Sequence, residues 1–227
     1  IIPFDKEFSL MPAQMFANTI IKDLFNPTLI SVGTNHYFGH KKEGNFEFLK
    51  AFCSDNNIEL HTPDMRKHMG STISSSLIRS LILDGNSSKV YDYLGRFYGF
   101  NATVVSGSNR GKKMNYPTAN FIPTFENQLL PSTGVYLTKV FLDGKSYFGM
   151  MNAGVRPTFN EKKFVMEVHI LSDKFGHLYD KNFYIEFLDK IRDEKKFDSK
   201  ELLIKQIEKD KEVCIELIDT FKEKYEI

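Results

Sequence analysis

Cysteine is scarce in this 227-residue chain: only Cys53 and Cys214 occur, far apart. No CxxC pair or Cys/His cluster is present, which argues against a zinc site or a disulfide framework and suits a reducing, cytoplasmic setting. Tryptophan is missing, so the aromatic packing must come from 21 Phe and 10 Tyr. Excess charge is missing too. A formal net charge of +1 gives no broad field for nucleic acid or an anionic membrane, so partners should be small molecules recognised in a pocket. No apolar run reaches the length of a bilayer span. The first residues, Ile1-Ile2-Pro3-Phe4-Asp5, have neither the basic end nor the apolar core of a signal peptide. They also lack an initiator Met, and the chain is expected to be a piece of something longer at its N-terminus. Oligomeric state is not legible.

Two periodicities divide what is there. Up to about residue 93, helical spacings (12–25, 45–53, 74–83 and about 87–94) alternate with short apolar runs (28–32 and 58–62). That alternation implies a parallel sheet in an α/β layer. Beyond Leu94-Gly95-Arg96 the pattern becomes strand after strand: 101–105, 134–142, 145–151, 164–171 and 182–188. Asp143-Gly144 between two of them signals a tight hairpin, because that pair supplies positive φ readily. Consecutive strands with tight turns favour a small antiparallel barrel. A final helix is expected over about 199–225, with Leu203, Ile207, Cys214, Leu217, Ile218 and Phe221 forming one apolar stripe that packs on the barrel.

The most informative stretch runs from Gly107 through Arg110, Gly111 and Lys112 to Pro117-Thr118-Ala119-Asn120. Glycines flanking a basic tract after a strand suit a loop whose N–H groups and cations meet phosphates, although the spacing is not that of a Walker A loop. An ordinary solvated turn has the same composition. Thr118 and Asn120, two residues apart in an extended segment, point the same way. A hydroxyl and an amide carbonyl are hard oxygen donors that suit Mg²⁺. Glu167 stands alone among apolar residues, sharing a strand face with Val165, His169 and Leu171. A carboxylate so placed is paired, exposed or used, and a general base for a primary alcohol fits the position. His169 reads as structural or exposed.

Taken in order, Arg110-Gly111 with Pro117-Thr118-Ala119-Asn120, Gly134-Val135-Tyr136, the run from Asn152 to Phe159, Glu167, the run from Ile191 to Phe197, and Gln206 to Asp210 resemble the riboflavin kinase family over nearly all of 94–215. The resemblance implies a six-stranded Greek-key barrel with a C-terminal helix, spanning 94–227. It implies ATP under the Gly107–Met114 loop, Mg²⁺ on Thr118 and Asn120, and Glu167 as the base for the ribityl 5′-hydroxyl of riboflavin. Flavin contacts would come from Arg192 and Phe197, and the product would be FMN. Asn115 stands where the family usually has Gly; Asn tolerates positive φ better than most residues.

Residues 1–93 resemble the later part of an FMN adenylyltransferase (FAD synthetase) domain, a Rossmann-like nucleotidyltransferase. Gly33-Thr34-Asn35-His36-Tyr37-Phe38-Gly39 looks like one of its motifs, with Asn35 for the usual acid. Ile73-Ser74-Ser75-Ser76-Leu77-Ile78-Arg79 looks like another, with Ser for Thr. Hydroxyls and N–H groups at a helix start, with Arg79 a turn on, suit a phosphate. The family's H-x-G-H motif has no counterpart: His36-Tyr37-Phe38-Gly39-His40 has the wrong spacing, and no acidic third ligand makes a metal pair of its histidines. A working kinase with a partial adenylyltransferase domain, and so little adenylylation by this chain, is the main expectation. A longer parent would be bifunctional. A non-catalytic flavin- or nucleotide-binding regulator on the same fold is the alternative, but it would have no need of a base at Glu167.

Overall fold

The computed structural model describes residues 1–107, 116–157, 162–172 and 181–225. The chain divides into two compact units, Ile1–Thr72 and Ile73–Ile227.

In the first unit α1 (Lys6–Ser9) is capped by Asp5, whose carboxylate accepts from the Phe8 N–H. Helix α2 (Ala13–Phe16) continues as a π-helix over Ala17–Phe25 and stops at Asn26, which takes a left-handed φ of 43°. Strand β1 (Leu29–Ser31) lies parallel to β2 (Glu59–His61), and α3 (Phe46–Asp55), capped by Asn45, connects them. This is the right combination for a crossover unit, because parallel neighbours need a long connection. Ala17, Leu49, Phe52 and Cys53 are buried together between the helices and the two strands. A small hairpin, β3 (Lys67–His68) with β4 (Ser71–Thr72), ends the unit; its two-residue strands carry too little pattern to be read from sequence.

The second unit begins with α4 (Ser75–Leu83) and α5 (Ser87–Leu94), the latter closed by Gly95 at φ 69°. Six strands follow: β5 (Tyr98–Val105), β6 (Ala119–Pro123), β7 (Gly134–Leu142), β8 (Lys145–Pro157), β9 (Lys162–Ile170) and β10 (Asn182–Arg192). They close into a barrel in the order β10-β5-β6-β9-β8-β7, every pairing antiparallel. The β7–β8 hairpin turns on Asp143 and Gly144, both at positive φ (50° and 74°), the geometry that lets a two-residue loop follow the strand twist. Closure removes the unpaired edges that an open sheet of this size would expose.

Period-2 alternation then sorts the side chains. Phe100, Phe121, Tyr136, Val140, Met151, Met166, Val168, Phe183 and Ile185 fill the interior. Thr138, fully buried among them, donates to the Gly149 carbonyl at 3.0 Å and so carries no unpaired hydroxyl. Outside, Val135, Leu137, Met150 and Leu188 form an apolar patch. Helix α6 (Lys200–Tyr225) covers it with Cys214 and Phe221. Ile207, Leu217 and Ile218 of the expected stripe pack there too.

Candidate active site

The sequence-predicted residues of the second unit converge because of strand register. Asn120 of β6 lies opposite Glu167 of β9, Glu167 opposite Asn152 of β8, Asn152 opposite Val135 of β7, and Val135 opposite Arg192 of β10. Laterally paired residues face the same side of a sheet. The neighbours of Asn120, Asn152 and Glu167 in sequence (Ala119, Phe121, Met151, Ala153, Met166 and Val168) are all interior, so the row Asn120–Glu167–Asn152 lies on the outer face. It runs toward the patch under α6.

At the centre of the row the Thr118 hydroxyl donates to Glu167 Oε2 at 3.2 Å. Both side chains are partly buried. Gly107, at the end of the segment after β5, lies against Asn120: a Cβ there would overlap the Asn120 amide group. The absence of a side chain at 107 is thus a packing requirement of Asn120. Arg110, Gly111, Lys112 and Asn115 lie outside the described residues.

His169 adds a contact that sequence reading did not find. Its Nδ1 is 2.8 Å from the Pro117 carbonyl oxygen, and its ring meets Tyr116 edge-on at 5.5 Å. Burial lowers its pKa below the ordinary histidine value, the bond to Pro117 opposes that, and the Lys211 charge adds to it. A neutral ring facing a carbonyl must carry its proton on Nδ1.

Arg192, at the far end of the row, is committed to α6. Its Nε donates to both Asp210 carboxylate oxygens at 2.9 Å and its Nη2 donates to Oδ2 at 2.7 Å. Gln206 donates to Oδ1 of the same carboxylate at 2.8 Å. Nη1 donates to the Asp193 carbonyl at 2.9 Å, and the guanidinium stands 5.8 Å from the Phe197 ring centroid. Arg192 and Phe197, both named from sequence, are therefore brought together. Near Asn152, a Cβ on Gly154 would meet the Glu194 carboxylate, with the Asn152 amide nitrogen next in range.

The remaining sequence-named residues divide between the units. In the first, Asn35 is exposed, and its side-chain oxygen stands 3.2 Å from where a Cβ on Gly33 would lie. Phe38 and Gly44 exchange backbone hydrogen bonds of 2.9 Å. Gly39, at φ 72°, passes so close to Ala13 that a Cβ would strike its backbone. Gly33 and Phe38 also line a cavity of about 420 Å³ with Phe16, Ile30, His36 and Leu49. In the second unit Ser74 caps α4, its hydroxyl accepting from the Leu77 N–H at 3.2 Å. Ser75, Ser76 and Arg79 are exposed on the first turns of that helix.

The second unit is thus a closed six-stranded antiparallel barrel with a helix laid over one flank and a carboxylate, a hydroxyl and an amide gathered on its outer face. Residues 94–218 match the family model described as riboflavin kinase, and residues 1–77 match the one described as FAD synthetase. The chain belongs to the riboflavin kinase family. Among curated proteins it is 32% identical over 218 residues to a bifunctional riboflavin kinase/FMN adenylyltransferase of Haemophilus influenzae, covering 93% of this chain and 68% of that protein. It is 30% identical to the protein of that name from Pseudomonas fluorescens (89% and 64% covered) and to that from Escherichia coli K12 (92% and 66%). The chain thus spans about two thirds of the length of these relatives. A crystal structure of a macrolide-efflux protein from Streptococcus pneumoniae is also similar, with a TM-score of 0.81 and 33% identity, over 93% of this chain and 67% of that one. Among the described residues no helix is long and apolar enough to cross a membrane.

Proposed function

We propose that this chain transfers the γ-phosphoryl group of ATP to the 5′-hydroxyl of riboflavin, releasing FMN and ADP. The observation that carries the reading is the hydrogen bond from Thr118 to Glu167 in the middle of the Asn120–Glu167–Asn152 row. Phosphoryl transfer asks a protein mainly for positioning and charge stabilisation, and this row offers a base with polar neighbours on a rigid sheet. The riboflavin hydroxyl oxygen bonds to the γ-phosphorus as the bond from phosphorus to the ADP oxygen breaks. Glu167 takes the hydroxyl proton. Gly107, Arg110, Gly111 and Lys112 are the residues to meet the ATP phosphates. Phe197 and Arg192 border the flavin. Because Asp210 and Asp193 occupy donors of Arg192, its part is to present a fixed cationic surface.

Mg²⁺ fits the donor set. Thr118 and Asn120 carry hard oxygen donors, and Mg²⁺ takes few protein ligands beside phosphate oxygens. The Thr118 hydroxyl donates its hydrogen bond to Glu167 and keeps lone pairs to offer; the Asn120 amide oxygen would be the second ligand. When bound, the ion neutralises charge on the phosphates.

The kinase domain is assigned to 94–227 and the adenylyltransferase-like part to 1–93, where the change of periodicity and the start of the riboflavin kinase match coincide. FAD formation by this 227-residue chain is not expected, since H-x-G-H does not occur in it. Riboflavin-dependent release of ADP tests the proposal. Binding of riboflavin and ATP without ADP release would favour the regulator reading instead.

A further inference from the structure

We propose that His169 is a positioning residue for phosphoryl transfer, holding the segment that carries Thr118 and Asn120 in register with Glu167. The inference rests on the reading of Thr118, Asn120 and Glu167 given above.

Strand β6 begins only at Ala119, and its pairing with β9 runs from Ala119↔Val168 to Phe121↔Met166. Thr118 and Pro117 therefore precede the ladder of β6 with β9. What holds them is two side chains of β9. Glu167 accepts from Thr118 at 3.2 Å and His169 bonds the Pro117 carbonyl at 2.8 Å. The two are two residues apart on one strand and face the same outer side. They grip consecutive residues of the incoming chain, one through a side chain and one through the backbone. The shorter bond is that of His169, and it does not depend on the reacting group.

Local geometry supports the assignment. Pro117 has no N–H and cannot donate to a neighbouring strand, so its carbonyl is its backbone's one polar handle. The Tyr116 ring packs edge-on against the imidazole and limits its rotation. With β9 built into the barrel wall on both sides, by β6 and β8, the imidazole is carried by a rigid element. Without the His169 bond Thr118 would remain attached to Glu167 only by a 3.2 Å contact that must also serve the reaction.

The bond uses Nδ1. Asparagine places an amide nitrogen near where Nδ1 sits, whereas glutamine places its amide near Nε2 and keeps size and polarity without reaching Pro117. Steady-state kinetics on the 227-residue chain with riboflavin, ATP and Mg²⁺ should separate these. For His169→Gln the expected result is a kcat lower by about fivefold, the worth of one hydrogen bond of about 1 kcal/mol. The KM for riboflavin should stay within about twofold and the unfolding midpoint should be unchanged. His169→Asn should recover kcat to within about threefold of the parent. A parent-like kcat in His169→Gln, or His169→Asn as impaired as His169→Gln, would overturn the proposal. Glu167→Gln run alongside keeps the two ideas apart. An inactive Glu167→Gln with a parent-like His169→Gln refutes the role of His169 alone, while an active Glu167→Gln refutes the base.

Discussion

Asp210 on α6 accepts three hydrogen bonds from Arg192 at the end of β10, of 2.9, 2.9 and 2.7 Å, and is itself almost fully buried. This pair ties the C-terminal helix to the row of strand positions that carries Glu167. It also makes Arg192 part of a frame that joins β10 to α6.

Removing one partner of such a pair leaves the other charge uncompensated. Asp210→Ala should destabilise the second unit by about 3 kcal/mol, read by urea unfolding, and should lower activity by loosening α6. A variant as stable as the parent would show that the pair contributes nothing to docking the helix.

Cys214 sits one turn along α6 from Asp210 and is fully buried. Burial, with the Asp210 charge adding to it, pushes its thiol pKa up to about 12. It should be inert to alkylation at pH 8 in the parent and become reactive in Asp210→Ala. The sign of the pH effect follows. Between the ordinary thiol value of 9.0 and about 12 the unfolded chain has lost a proton that the folded chain keeps, so stability falls as pH rises through that window. Burial also raises the pKa of Tyr98 and Tyr136, which acts in the same direction. Unfolding midpoints measured from pH 8 to 11 should decline steadily; a flat profile would contradict the burial argument.

Two glycines near the site should respond differently to alanine. At Gly107 the new Cβ would overlap the Asn120 amide, a group positioned by its strand. At Gly154 it would overlap the far end of the exposed Glu194 side chain, which can swing away, and would lie at an ordinary contact distance of 3.5 Å from the Asn152 amide nitrogen. Gly107→Ala should lower kcat by about 10²-fold, as small displacements of positioning groups do. Gly154→Ala should stay within about threefold. Equal effects would mean that Asn120 is not held by the fit at Gly107.

Glu167→Gln keeps size and hydrogen-bonding capacity but cannot take a proton at neutral pH. Its kcat should fall by about 10²–10⁴-fold with ATP affinity retained, measured by turnover and by nucleotide titration. Near-normal turnover would remove Glu167 from the mechanism.

Much of this was legible before any coordinates. The helical spacings that begin at Asn45 and Ser74 do become α3 and α4, with those two residues as their caps; Asp143-Gly144 does turn the β7–β8 hairpin. Pairing was less legible. Strand β6 is five residues long and follows a proline, so its alternation is too short to announce a strand, although Asn120 depends on it for its place opposite Glu167. The extension of β8 to Pro157 was hidden by Gly154, which reads as a turn residue but here makes room for Glu194. Contacts of residues far apart in sequence, His169 with Pro117 and Arg192 with Asp210, have no periodicity to betray them. They follow from closure of the barrel and the docking of α6.

The most direct measurement incubates the chain with riboflavin, ATP and Mg²⁺ and separates the flavins by HPLC with fluorescence detection. The account predicts FMN formed in step with ADP, and no FAD. Folded protein that binds both substrates but yields no FMN would contradict it.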